Sequence, residues 1–133
     1  MKRLICNLLM LLVLSTMIIS CNSDDNVSNI IEQNPYEKYA GKYKGEYYGG
    51  DSGEWEVMIS NQGNISGTVH STQYNLTFQL YGEIDTNGNM DATYQYNNQK
   101  AGSFNATIKE ESVIGTWINT LSNLSGTLSG DKL

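Results

Sequence analysis

The chain is poor in the residues that most often carry chemistry. It has one histidine and two cysteines in 133 residues, and both cysteines, Cys6 and Cys21, fall near the start. A lone His70 with no cysteine beyond position 21 cannot form a zinc site without carboxylates, and no HExxH-like spacing occurs. No GxSxG elbow is present to raise a serine nucleophile. The single proline, Pro35, precedes the patterned region, so no ladder downstream loses a backbone donor to proline. Basic groups are outnumbered: the formal net charge is -6. An acidic domain is repelled by nucleic acid and by anionic lipid, so nucleic acid is not an expected partner. The one long apolar run, Leu8 to Ile19, is shorter than the ~20 residues needed to span a bilayer.

What surrounds that run gives it another meaning. Lys2 and Arg3 form a basic start, the apolar segment follows, and it closes on Ile18-Ile19-Ser20-Cys21. A charged start, a short apolar core and a small residue before the cut make a secretory signal. The cysteine just after the cut resembles the lipobox of bacterial lipoproteins. That resemblance implies removal of residues 1–20, a covalent lipid on Cys21, and anchorage to a membrane by acyl chains, two of which hold stably where one does not. Ser23-Asp24-Asp25 resembles the short acidic export signals of surface lipoproteins in the Bacteroidota. It implies an outer-membrane address in a Gram-negative bacterium, with the domain facing outward. No other cofactor is expected. With Lys2 and Arg3 gone, the formal charge falls to -8. Residues 21–35 read as a polar tether, since polar stretches with few aromatics stay disordered, and residues 36–133 as the folded domain.

From Tyr39 onward apolar and polar residues alternate. Trp55, Val57 and Ile59 alternate with Glu54, Glu56 and Met58; Leu76, Phe78, Leu80 and Ile84 alternate with Thr77, Gln79, Tyr81 and Glu83. The same period runs through 39–49, 65–70, 90–97, 103–109, 113–117 and 124–128. Period two places one set of side chains on a buried face and the other in water. Turn signals separate the runs: Gly49-Gly50-Asp51-Ser52-Gly53, Asn61-Gln62-Gly63-Asn64, Thr86-Asn87-Gly88-Asn89, and the stretches 109–112 and 120–123. No stretch reads as a helix.

Eight strands joined in order predict an all-β antiparallel up-and-down meander. Closure into a small barrel removes both edges and buries the apolar face; an open sheet or two-sheet sandwich is the alternative. An eight-stranded barrel is filled by side chains or holds one small ligand. The expected interior is Tyr43, Tyr47, Trp55, Val57, Phe78, Leu80, Tyr94, Phe104 and Trp117, with glycines such as Gly45, Gly67, Gly115 and Gly126 making room. Gly67-Thr68-Val69, Gly115-Thr116-Trp117 and Gly126-Thr127-Leu128 form a weak internal repeat. This pattern is similar to the small meander barrels of the lipocalin and avidin-like group, in architecture alone and over residues 39–130.

Three polar groupings merit weighing. Asp85, Asn87, Asn89 and Asp91 stand at alternate positions like the first half of a calcium loop, but the glycine is misplaced and the bidentate glutamate is missing. Glu46, Glu54 and Glu56 fall on a convex outer wall with Lys42 and Lys44, which suits cross-strand charge matching and not a glycosidase cleft. Tyr48 and Tyr81 face outward, as tyrosines at interfaces do. The expectation is a non-catalytic envelope module that binds a protein, as an inhibitor, immunity or assembly factor would. The alternative is a lipocalin-like barrel holding a small apolar or aromatic ligand, and the remote alternative is an enzyme.

Overall fold

The computed structural model describes residues 31–133. The cleavage site, Cys21 and the Ser23-Asp24-Asp25 segment lie outside the described residues. A short 3-10 turn, Glu37–Tyr39, leads into strands β1 (Gly41–Gly49), β2 (Gly53–Ile59), β3 (Asn64–Ser71), β4 (Leu76–Ile84), β5 (Asn89–Tyr96), β6 (Gln99–Lys109), β7 (Ser112–Asn119) and β8 (Leu124–Lys132). Each strand pairs with the next, and β8 returns to β1, which closes the barrel.

The register explains the alternation. In β2 every second residue is buried, from Gly53 to Ile59, while Glu54, Glu56 and Met58 face water. Gly45 pairs with Trp55 on one side and Gly130 on the other. A Cβ on Gly130 would lie 2.6 Å from the Trp55 ring, so this glycine pair is the seat of the indole. Of the expected interior residues, Tyr43, Tyr47, Trp55, Val57, Leu80, Tyr94, Phe104 and Trp117 are buried. Phe78 packs against that core but remains partly exposed at the barrel mouth.

The observed strands differ from the alternation at four places. Tyr39 does not start β1: Tyr36 to Ala40 turn first, with the Tyr39 and Ala40 amides donating to the Tyr36 carbonyl at 2.9 and 3.1 Å. β6 starts at Gln99 and not Ser103, because a bulge between Tyr94 and Gln95 puts Ala101 and Gly102 side by side in the buried layer and breaks the period. β8 runs on past Leu128, where the alternation read from sequence ends, to Lys132, with Ser129, Gly130 and Asp131 all paired to β1. Tyr96 shares parity with Tyr94 but is 41% exposed, since its strand passes the barrel mouth there.

An up-and-down barrel puts alternate turns at opposite ends. The chain enters, and β8 finishes, at the near end, with the 60–63, 85–88 and 110–111 turns. This end is plugged from within the sequence. Tyr39 is buried, its hydroxyl donating to the Thr86 carbonyl at 3.4 Å, and the Tyr43 hydroxyl donates to the Tyr39 carbonyl at 2.9 Å. Gly63 (φ +85°) and Gly88 (φ +91°) form the turns over which Tyr36 and Tyr39 lie; a Cβ would meet the Tyr36 ring at 2.8 Å and the Tyr39 hydroxyl at 3.0 Å. Asn34, assigned from sequence to the tether, is already tied down: its Nδ2 donates to the Asn61 carbonyl at 2.6 Å. The far end carries the loops 50–52, 72–75, 97–98 and 120–123.

Candidate functional site

The interior is filled. Six rings run in contact from the far mouth inward: Tyr96 to Phe78 at 5.7 Å, Phe78 to Tyr94 at 5.4 Å, Tyr94 to Phe104 at 5.6 Å, Phe104 to Tyr47 at 6.3 Å and Tyr47 to Trp117 at 5.2 Å. Most meet tilted or edge-to-face, the favoured geometry for aromatic quadrupoles. The space left between Tyr47, Asp51, Phe78, Tyr94, Trp117 and Asn119 is about 10 Å³. That admits about one water, whereas small-molecule sites measure about 300 Å³ or more.

One carboxylate seals this mouth. The β1–β2 loop folds so that Asp51 is only 9% exposed. Its Oδ2 accepts from the Tyr47 hydroxyl at 2.8 Å, and its Oδ1 accepts from the Ser71 hydroxyl at 3.0 Å and the Ser52 amide at 2.7 Å. Burial foremost, then the hydrogen bond to Asp51, pushes the Tyr47 hydroxyl far above its ordinary titration. Burial and the Asp51 charge do the same to Tyr94. The cluster was not assigned from sequence, although a signal existed: Ser71 has the inward parity of Ile65, Gly67 and Val69, and a serine there needs a buried partner. Among the described residues no buried side-chain polar atom lacks a partner. The network ties the β1–β2 loop to the end of β3.

Around this seal lies a rim of exposed side chains. Tyr74 in the β3–β4 loop is 54% exposed, Leu121 in the β7–β8 loop across the mouth is 60% exposed, and Tyr96 ends β5 half-exposed. In the four far loops the only charged residue is Asp51, and it is buried; the rest are Gly, Ser, Thr, Asn, Gln, Tyr and Leu. Beside these loops stand the exposed Glu54 and Lys100, and the near end carries Glu37, Asp85, Glu110 and Glu111 in or beside its turns.

The remaining sequence candidates stay apart. His70 lies on the outer wall with Nδ1 3.0 Å from Thr77 Oγ1. Asp85 spends its carboxylate on its own turn: Oδ1 accepts from the Asn87 and Asn89 amides at 2.8 and 2.9 Å, and Oδ2 from Asn89 Nδ2 at 2.8 Å. These bonds, the Asn89 side chain first, hold Asp85 below the usual carboxylate range. Among the described residues no group of three His, Cys, Asp or Glu side chains could hold a metal ion. Lys42 pairs with Glu56 at 2.9 Å, and Glu46 stands opposite Glu54 across β1–β2 and accepts a hydrogen bond from Tyr48. Two shallow depressions on the outer wall, about 640 Å³ by Glu83, Asp91 and Ile114 and about 610 Å³ by Lys44, Glu54 and Asp131, are wide and open. Compared with known proteins, the chain matches no family model, no curated protein and no solved structure.

Proposed function

We propose that this protein is a lipid-anchored, non-catalytic binding module of a bacterial outer membrane, exposed at the cell surface and acting on another protein as an inhibitor, immunity or assembly factor would. The filled interior carries the reading: a 10 Å³ space beside Trp117 supports a barrel that works through its outside. The anchor rests on the Lys2-Arg3 start, the apolar run and Cys21. From Cys21 to the tie at Asn34, twelve residues reach at most roughly 40 Å when extended, which suits a domain held near a membrane.

One experiment tests both halves. Cys21→Ala should move the chain from the membrane fraction to the soluble fraction and end its labelling by fatty acid. The released chain, purified gently from its own cells, should fly bare in native mass spectrometry. Membrane retention after the substitution would defeat the anchor. A retained small molecule would defeat the filled-barrel reading in favour of a lipocalin-like carrier.

A further inference from the structure

We infer that Tyr47 and Asp51 form a redox-active pair: when a one-electron oxidant takes an electron from Trp117, the hole passes to Tyr47 while the Tyr47 proton passes to Asp51. Neither the membrane anchor nor a partner protein enters into it.

The step balances within the core. A radical oxidant such as azide or carbonate radical, or a photoexcited acceptor, is reduced by one electron and leaves Trp117 as an indole radical cation. Tyr47 then gives one electron to the indole, which returns to its neutral form. The Tyr47 O–H bond breaks, its proton crosses the 2.8 Å hydrogen bond, and an O–H bond forms on Asp51 Oδ2. A cation and a carboxylate are thereby replaced by a neutral phenoxyl radical and a neutral carboxylic acid. Ions are costly where water is scarce, so cancelling both favours the step. An ascorbate-type donor resets the pair by supplying one electron as Asp51 returns the proton.

Position selects Tyr47 over its neighbours. Its ring meets Trp117 edge-on at 5.2 Å, the shortest step in the series of rings. The Trp117 N–H donates at 3.0 Å to the Tyr48 carbonyl, an amide oxygen too weakly basic to take the proton, so the oxidised indole stays a cation. Phe104 and Phe78 carry no O–H. The Tyr94 hydroxyl donates to the Ile118 carbonyl at 3.0 Å, an acceptor of the same weak kind. Among the rings of the series, the hydroxyl bonded to a carboxylate is that of Tyr47. Ser71 and the Ser52 amide hold that carboxylate at 3.0 and 2.7 Å, so the proton acceptor is in place before any electron leaves. Tyr47 is 2% exposed, which shields the radical from coupling to a tyrosine of another molecule.

The test is flash photolysis of the full chain carrying Trp55→Phe, which leaves Trp117 as its one indole. Light that indole alone absorbs ejects an electron, and a dissolved cobalt(III) ammine takes it up. The tryptophanyl cation absorption should decay as a tyrosyl absorption rises, at one shared rate. Time-resolved infrared spectra should show a carboxylic-acid C=O band growing at that same rate. Tyr47→Phe should abolish both the tyrosyl rise and the band. Asp51→Asn should abolish the band and leave Trp117 oxidised for longer. If Trp55→Phe loses the β-sheet circular dichroism signal, the same signals are read in the parent chain as the component that Trp117→Phe removes. A tyrosyl signal that survives Tyr47→Phe, a cation that decays with no tyrosyl rise, a tyrosyl rise with no carboxylic-acid band, or a radical formed as fast in Asp51→Asn would each overturn the inference.

Discussion

Replacing Asp51 with alanine should be among the most damaging single changes at the far end, though it removes only a small side chain from a loop. The Tyr47 and Ser71 hydroxyls both donate a hydrogen bond to this carboxylate, Tyr47 is 2% exposed and Ser71 is fully enclosed. A buried donor left without an acceptor costs about 1–3 kcal/mol. Two such donors, together with the freed Ser52 amide, bring the expected loss to about 3–5 kcal/mol, with the low end applying if a water enters the adjoining space. A domain of this size loses about 4–8 °C of melting temperature per kcal/mol, so a fall of roughly 12–40 °C follows. Asp51→Asn keeps one acceptor oxygen for Ser52 and Ser71 but faces the Tyr47 hydroxyl with an NH2, and should cost about 2–3 kcal/mol. Tyr47→Phe leaves the carboxylate two of its three donors and should cost about 1.5–3 kcal/mol, the range for hydrogen bonds to a charged group. The decisive quantity is the coupling: in the Asp51→Ala background, Tyr47→Phe should cost almost nothing further. Urea unfolding followed by tryptophan fluorescence suits the purpose, because Trp117 lies 5.2 Å from the Tyr47 ring. Amide exchange gives a local readout, since the Thr72 amide bonds to the Ser52 carbonyl and the Tyr74 amide to Ser71; both should exchange faster in Asp51→Ala. A loss under about 1 kcal/mol, or additive effects of Tyr47→Phe and Asp51→Ala, would refute the claim that this network holds the mouth closed.

Alkaline pH should unfold the protein through its buried tyrosines. Tyr43, Tyr47 and Tyr94 are all raised above the ordinary tyrosine value, chiefly by burial. The folded state therefore holds these protons more tightly than the unfolded chain. Their contribution is complete below about pH 10, where unfolded tyrosine titrates, and is lost as pH rises above it. Ultraviolet titration of the nine tyrosines should show the exposed rings ionising first and these three only with loss of the β-sheet circular dichroism signal; a single smooth titration of all nine with the sheet intact would contradict the assignment. Gly126→Ala tests the barrel seam. An added Cβ would overlap the Tyr48 carbonyl oxygen and lie 2.7 Å from Trp117 Nε1, whose N–H donates to that same oxygen at 3.0 Å. Overpacking of this kind costs about 1–3 kcal/mol, and a variant as stable as the parent in urea would show that the β1–β8 seam is looser than described.

The strands were legible because their two faces differ so sharply. Where a large apolar residue alternates with a charge, as in Trp55 to Ile59, parity alone orders the side chains, and the structure keeps that order. Legibility failed where the inward residue is small or charged. Gly130 and Lys132 occupy the inward parity at the end of β8, so half of the strand that closes the barrel reads as loop. Its purpose is visible only once Gly130 is seen to pair with Gly45 beneath Trp55. The bulge that seats Ala101 beside Gly102 concealed the start of β6 for a related reason: alternation is the signal, and a bulge suspends it. Asp51 was hidden differently. Between glycines and a serine it reads as one more turn residue, and its partners are 4 and 20 positions away in sequence. Local pattern does not carry such distances.

The two ends of the barrel answer to different demands, and that difference bears on function. A closed barrel has no free edge through which to recruit a partner by strand addition, so recognition must use the wall or an end. The wall carries Lys42, Lys44, Glu46, Glu54, Glu56, Glu83 and Asp91, ions that would each have to be paired or stripped of water on docking, and between them the exposed apolar side chains Met58, Tyr81 and Ile114. The near end is occupied by its own chain: Tyr36 and Tyr39 fill it, and the Lys132 ammonium lies 5.7 Å from the Tyr43 ring while reaching the Lys38 carbonyl at 3.4 Å. The far end carries four loops to the near end's three turns, and there closure is made by side chains, not by the entering chain: Asp51 binds Tyr47 and Ser71, Ser71 in turn holds the Tyr74 amide, and Asn119 fixes its own loop through the Leu121 and Ser122 amides.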